Sequence, residues 1–85
     1  MKFQAKVFIR LRENVSDAAG NAVRQNVDRV ADIRECTKLR LGKCIDIDFE
    51  APDREHAERE LSKASEMLFA NTVIEDWSYE MWEDK

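Results

Sequence analysis

From Phe3 to Leu11 the odd positions are Phe3, Ala5, Val7, Ile9 and Leu11, while Lys2, Gln4, Lys6, Arg10 and Arg12 fill most even ones. Side chains of a strand alternate between its two faces, so this pattern predicts a first strand with one buried face. Phe8 interrupts the polar side. The period then changes, and Ala19, Val23, Val27 and Val30 recur at intervals of four, four and three, the spacing of one face of a helix. Asp17 stands where an N-cap carboxylate would accept from the free backbone N–H groups of the first turn. Gly20, inside that turn, costs about 1 kcal/mol relative to Ala, which implies either close approach by another backbone or simple tolerance.

A second odd-numbered apolar set follows: Leu39, Leu41, Ile45, Ile47 and Phe49, with Arg40, Asp46, Asp48 and Glu50 between them. A two-residue turn at Gly42-Lys43 would send Leu41 and Ile45 to opposite faces. The parity therefore asks for a three-residue loop, Gly42 to Cys44, or for one long strand bent at Gly42; the hairpin is the preferred expectation. Pro52-Asp53 ends the strand and opens a second helix, in which Ala57, Leu61, Ala64 and Leu68 share a face and Glu55 and Arg59 form an i,i+4 pair. Asn71 stands where a left-handed residue would end that helix. Val73, Trp77, Tyr79 and Met81 mark a last strand.

The order strand, helix, strand or hairpin, helix, strand predicts an α+β fold. It is a ferredoxin-like two-layer sandwich with an antiparallel sheet of three or four strands and both helices on one face. The 85 residues make one domain, 1–85, and a domain this small gains stability from burying area against a partner.

Fourteen Lys and Arg against 18 Asp and Glu give a net charge of −4 with the signs intermixed, which speaks against a nucleic-acid footprint or an anionic membrane surface as partner. No apolar run reaches the roughly 18 residues of a membrane span, and Met1-Lys2-Phe3-Gln4 opens directly into strand pattern, so a cytoplasmic protein is expected. Cys36 and Cys44 lack the spacing and neighbours of a zinc or CxxC site and read as free thiols. His56 sits among Arg54, Glu55 and Glu58 and reads as a surface residue. Glu75-Asp76, Glu80, Glu83 and Asp84 lack any arrangement that would gather six oxygens around one cation. With no phosphate loop and no nucleophile beside a base, the expectation is a small binding or assembly module with no catalytic residue, bound cofactor or metal of its own.

Three segments carry a family resemblance. Leu68 to Glu80, reading LFANTVIEDWSYE, is similar to the PurS pattern of two apolar residues followed by Ala-Asn-Pro/Thr-Val-Ile-Glu-Asp and an aromatic. Val15 to Val23, VSDAAGNAV, resembles that family's Val-Leu-Asp-Pro-Gln-Gly-x-Ala at the first helix start, with Ser16, Ala18 and Ala19 as departures. Arg40-Leu41-Gly42-Lys43 resembles its Arg-x-Gly-Lys.

The resemblance implies a subunit of phosphoribosylformylglycinamidine synthase, a cytoplasmic complex of purine biosynthesis. That complex converts formylglycinamide ribonucleotide, glutamine and ATP to formylglycinamidine ribonucleotide, glutamate, ADP and phosphate. It implies a PurQ-type glutaminase and a PurL-type synthetase as partners, with ATP and Mg used by the complex and not by this chain. PurS-like chains would bridge the two as a homodimer or homotetramer, holding the ammonia-releasing and ammonia-consuming sites in register.

On this sequence the family motifs place candidate partner-binding residues at segment junctions: Asp17 and Gly20, Arg40, Gly42 and Lys43, and Asn71, Ile74, Glu75, Asp76 and Trp77. Caps and turns alone would select several of these types, whereas Arg40 and Lys43 are better suited to an acidic partner surface or a phosphate. Phe8 and Trp82, expected as one patch on the outer face of neighbouring strands, are the candidate homo-oligomer interface. Two other classes compete. A free-standing ligand-binding regulatory module of the same fold would be stabilised by a metabolite alone. An RNA-binding sheet would need a basic surface that this chain lacks.

Overall fold

In the computed structural model, which describes residues 1–84, β1 (Lys2–Leu11) lies at the centre of a three-stranded sheet of order β2-β1-β3. Both neighbours, β2 (Gly42–Glu50) and β3 (Glu75–Asp84), run antiparallel to it. The registers Lys2↔Glu50 to Arg10↔Gly42 and Lys2↔Asp84 to Leu11↔Glu75 line up Ile45, Val7 and Tyr79 in one row, and Ile47, Ala5 and Met81 in the next. These odd-numbered rows form one apolar face, as the alternation requires. Phe3, Val7 and Ile9 are fully buried there. Removing such side chains from water stabilises by roughly 1.5–3 kcal/mol each.

The cover on that face is α3 (Arg54–Ala64). Asp53 caps it, accepting from the His56 N–H at 2.7 Å, as Pro52-Asp53 predicts. Ala57 and Leu61 are buried against the sheet. The helix then widens into a π-turn over Ser65–Phe69, where the Ala70 N–H donates to the Ser65 carbonyl at 3.0 Å. The buried Ser65 hydroxyl donates back to the Leu61 carbonyl at 2.8 Å, so it needs no other partner. This wider turn ends the helix with Ala70 extended and buried.

Several expectations are corrected. No hairpin forms at Gly42: β2 is one strand, and Leu39 to Leu41 lie outside it. The Leu41 N–H, which a further ladder would need, donates to the Asp17 carboxylate at 2.8 Å. Asn71 is not left-handed, because the π-turn has already closed the helix; Glu35, with φ 54°, is the one non-glycine residue of positive φ among those described. Arg59 meets His56 Nδ1 at 2.9 Å and Glu60 at 4.0 Å, and the i,i+4 pair on α3 is Arg54 with Glu58, at 3.1 Å.

The larger correction concerns the first helix. It breaks at Gln25-Asn26 into α1 (Ala18–Arg24) and a single turn, α2 (Val27–Val30). Neither contributes to the apolar core. Their apolar stripe faces solvent, with Val23 46 % and Val30 86 % exposed. The α+β class and the antiparallel sheet stand, but within one chain only α3 covers the sheet. The Cα atoms accordingly spread over 49 × 30 × 14 Å, a flat plate.

Candidate functional site

The junction residues converge on one end of the plate. Asp17 is the hub of the first half. Its Oδ1 accepts from the Gly20 N–H at 2.9 Å, capping α1 as predicted, and its Oδ2 accepts from the Leu41 N–H. These backbone donors, the Leu41 bond foremost, hold the buried carboxyl below its ordinary range. Gly20 permits the arrangement: a Cβ there would stand 2.9 Å from the Leu39 carbonyl oxygen and would run into the Asp17 carboxylate. The close backbone approach suggested by a glycine in the first turn is that of Leu39.

Arg40 belongs to the same clasp. One guanidinium nitrogen, Nη2, donates to the Val15 carbonyl at 2.7 Å and the Arg12 carbonyl at 2.9 Å. Nη2 thereby ties the loop after β1 to the segment before β2. Gly42 begins β2 where a Cβ would meet the Ile9 carbonyl at 2.8 Å, so its missing side chain lets the strands pair at this end.

The second half is built on Glu75, which is 9 % exposed. Its Oε1 accepts from the Asn71 N–H at 2.7 Å and its Oε2 meets Lys43 Nζ at 3.3 Å. The Asn71 bond first, then Lys43, keep this carboxyl below the usual carboxylate range despite its burial. The Asn71 carbonyl accepts from Ile74 and Glu75 N–H groups at 3.0 and 2.7 Å, closing the loop on itself. Val73, 83 % exposed, and Ile74 ride on its outside. Trp77 Nε1 donates to Glu66 at 2.7 Å, and the ring stacks on Tyr79, so Trp77 ties β3 to the π-turn.

What joins the halves is Arg12, which the pattern of β1 places on an outer strand face. The strand ends at Leu11, and Arg12 turns inward instead. Its N–H donates to the Ile74 carbonyl at 2.8 Å, its Nη2 to the Thr72 carbonyl at 2.7 Å, and its Nη1 lies 3.4 Å from Asp76. Its Nε is buried without a partner. No periodic signal marks such a residue; only its position one step past the end of the alternation could have done so. Lys38 pairs with Glu13 beside this clasp, and that bond lowers the Glu13 pKa.

All ten candidate partner-binding residues therefore lie at or beside this end. Phe8 and Trp82 are both on the outer face, but not as one patch. Phe8 stands opposite Ser78 and Trp82 opposite Gln4, with the Lys6↔Glu80 row between them. Trp82 Nε1 donates to Gln4 Oε1 at 2.8 Å, and the Arg10 guanidinium lies 5.8 Å over the Phe8 ring. Cys36 and Cys44 are free thiols, Cys36 in the loop before β2 and Cys44 exposed on it. Among the described residues no three His, Cys, Asp or Glu side chains are grouped to hold a metal, and no helix is long and apolar enough to cross a membrane.

The fold has counterparts in known proteins. The profile of the family PurS, phosphoribosylformylglycinamidine (FGAM) synthase, matches residues 4–83. The phosphoribosylformylglycinamidine synthase subunit PurS of Archaeoglobus fulgidus is 39 % identical over 74 residues, 87 % of this chain and 91 % of the relative. The Bacillus subtilis PurS structure superposes with a TM-score of 0.78 at 34 % identity, covering 95 % of this chain and 99 % of that one. A chain in the structure of PurLQS from Thermotoga maritima gives a TM-score of 0.86 at 29 % identity, covering 96 % and 99 %. With the family profile spanning nearly its whole length and relatives aligned almost end to end, this chain belongs to the PurS family of phosphoribosylformylglycinamidine synthase subunits.

Proposed function

We propose that this chain is the non-catalytic assembly subunit of its synthase. It bridges a PurL-type ATP-dependent synthetase and a PurQ-type glutaminase so that ammonia released from glutamine reaches formylglycinamide ribonucleotide. The observation that carries the reading is the near-complete superposition of this chain on one chain of the solved PurLQS structure from Thermotoga maritima. The clasp supports it in chemical terms: Asp17, Arg40, Glu75 and Arg12 all have polar atoms bound to the protein's own backbone, which suits a residue set that holds loops in a fixed shape for recognition. On this reading the chain binds no cofactor, the complex uses ATP and Mg, and it works in the cytoplasm.

Self-association is part of the proposal. A plate covered on one side by a single helix, with Val23, Val30 and Trp82 in water, gains buried apolar area when a second copy adds to it. A homodimer or homotetramer follows.

The test is reconstitution with and without the chain. Omitting it should abolish glutamine-dependent amination while high ammonium restores part of the rate, because ammonium bypasses the register between the two sites. Equal glutamine-driven rates in both preparations would reject the reading. The chain alone should neither hydrolyse glutamine nor consume ATP, and such turnover lost on substitution of His56 would reject its non-catalytic role.

A further inference from the structure

The outer face of the sheet is a row of cations on β1 flanked by acids. Lys2 stands between Glu50 and Asp84, and Lys6, between Asp46 and Glu80, bonds Asp46 at 3.0 Å. Arg10 breaks this scheme. Its neighbours are Gly42, which has no side chain, and Asp76, which faces Arg12 at 3.4 Å. Among the described residues Arg10 has no carboxylate partner, and its guanidinium lies 5.8 Å from the centroid of the Phe8 ring.

Beside it is a hollow of about 290 Å³ lined by Phe8, Arg10, Arg40, Gly42, Lys43 and Cys44. Three cations and no acid line it, on a chain whose net charge is −4. Lys43 is turned toward Glu75, and Arg40 has only Nη2 engaged, so Arg10 is the free fork and Arg40 its support.

We propose that this hollow receives an acidic side chain from a protein partner of the synthase, a Glu or Asp whose carboxylate forms a bidentate pair with Arg10 above Phe8. The proposal rests on the assembly reading and deepens it. A guanidinium held near an aromatic face keeps its forked N–H edge free, and that edge suits the two oxygens of a carboxylate. Arg and aromatic residues are also the types that dominate binding energy at interfaces. The hollow is open on its solvent side, whereas a small free ligand needs walls that bury most of its surface. A protein partner brings the missing wall with it.

The experiment compares wild type with Arg10→Glu, Arg10→Lys and Cys44→Glu in complexes reconstituted with the PurL-type and PurQ-type subunits of the same organism. Arg10→Glu reverses the fork, and Cys44→Glu fills the hollow with a carboxylate from the chain itself; both positions are exposed, and unchanged melting checks the fold. Both should raise the Kd for the complex roughly tenfold or more, with Arg10→Lys between. Wild-type affinity should fall as salt rises from about 50 to about 200 mM, and that of Arg10→Glu should fall less.

Affinities of both acidic variants within about twofold of wild type would overturn the proposal. So would variants that alter only self-association, since a second copy would then be the occupant. A wild-type chain that fails to join the complex overturns the assembly reading and the hollow's role with it, and is told apart because wild type itself fails.

Discussion

Gly20→Ala sets two effects of opposite sign against each other. In a helix interior Ala is favoured over Gly by about 1 kcal/mol, so local propensity alone makes the variant more stable. The surroundings oppose this. The new methyl would lie 2.9 Å from the Leu39 carbonyl and against the Asp17 carboxylate. Neither can yield freely, because Asp17 is bonded by the Gly20 and Leu41 N–H groups and Leu39 O is backbone. Overpacking of this kind costs typically 1–3 kcal/mol. Breaking the cap to relieve it adds a further loss, so the clash wins. The net expectation is a destabilisation of about 1–2 kcal/mol. For a domain of this size that lowers Tm by roughly 4–8 °C per kcal/mol.

Urea unfolding followed by circular dichroism, at one fixed protein concentration so that any self-association contributes equally to every variant, measures it. Ala22→Gly, two residues on at an exposed position of the same helix, is the control. It should also destabilise, by about 0.5–1 kcal/mol, showing that Ala is preferred where nothing blocks its methyl. Removing the carboxylate should relieve part of the clash, so Gly20→Ala should cost less in an Asp17→Ala background. A Gly20→Ala protein more stable than wild type would refute the reasoning.

Asp17 and Glu75 both have carboxyls held below their ordinary values of 3.8 and 4.5, so the folded state binds their protons less readily than the unfolded chain does. Their stabilisation is complete above those ordinary values and is lost as pH falls through the depressed ones; Asp17→Asn with Glu75→Gln should flatten the acid limb of stability against pH, and an unchanged limb would reject it. Val23→Lys with Val30→Lys should lower the oligomeric state in sedimentation velocity more than Trp82→Lys does, and a wild-type chain sedimenting as a monomer at micromolar concentration would dispose of self-association. Leu61→Ala, at a residue 2 % exposed, should cost about 2–5 kcal/mol in equilibrium unfolding, and a cost below about 1 would mean that α3 is not the cover of the sheet.

Elements with a clean period were legible in the sequence. Alternation from Phe3 to Leu11 gave β1 and its buried face, and Pro52-Asp53 located the start of α3 to the residue. Patterns failed where a side chain competes with the ladder for a backbone group. Leu39 and Leu41 share the parity of Ile45, yet Asp17 takes the Leu41 N–H and no hairpin forms. The stripe from Val23 to Val30 has a helical period, but periodicity reports that a face is apolar, not that the same chain covers it. At the junctions the motif residues were visible one by one. That they form a single clasp was not, because Arg12, which links them, lies in no motif and bonds mostly to carbonyls, which every residue has.

The placing of β1 between β2 and β3 also sets the order in which the molecule can form. Lys2 pairs with Glu50 and Asp84, so the first strand made is the one that must wait for both others, and no two strands of the sheet are joined by a tight turn. Closing such distant pairs exacts chain entropy before contacts repay it, which makes folding slow compared with that of a helical bundle of equal length. During synthesis the apolar face of β1 has no sheet partner until β2 emerges, and the sheet is incomplete until β3 does. A nascent chain stalled before Glu75 would present Val7 and Ile9 with one flank open, a species prone to pair with its neighbours on the same messenger.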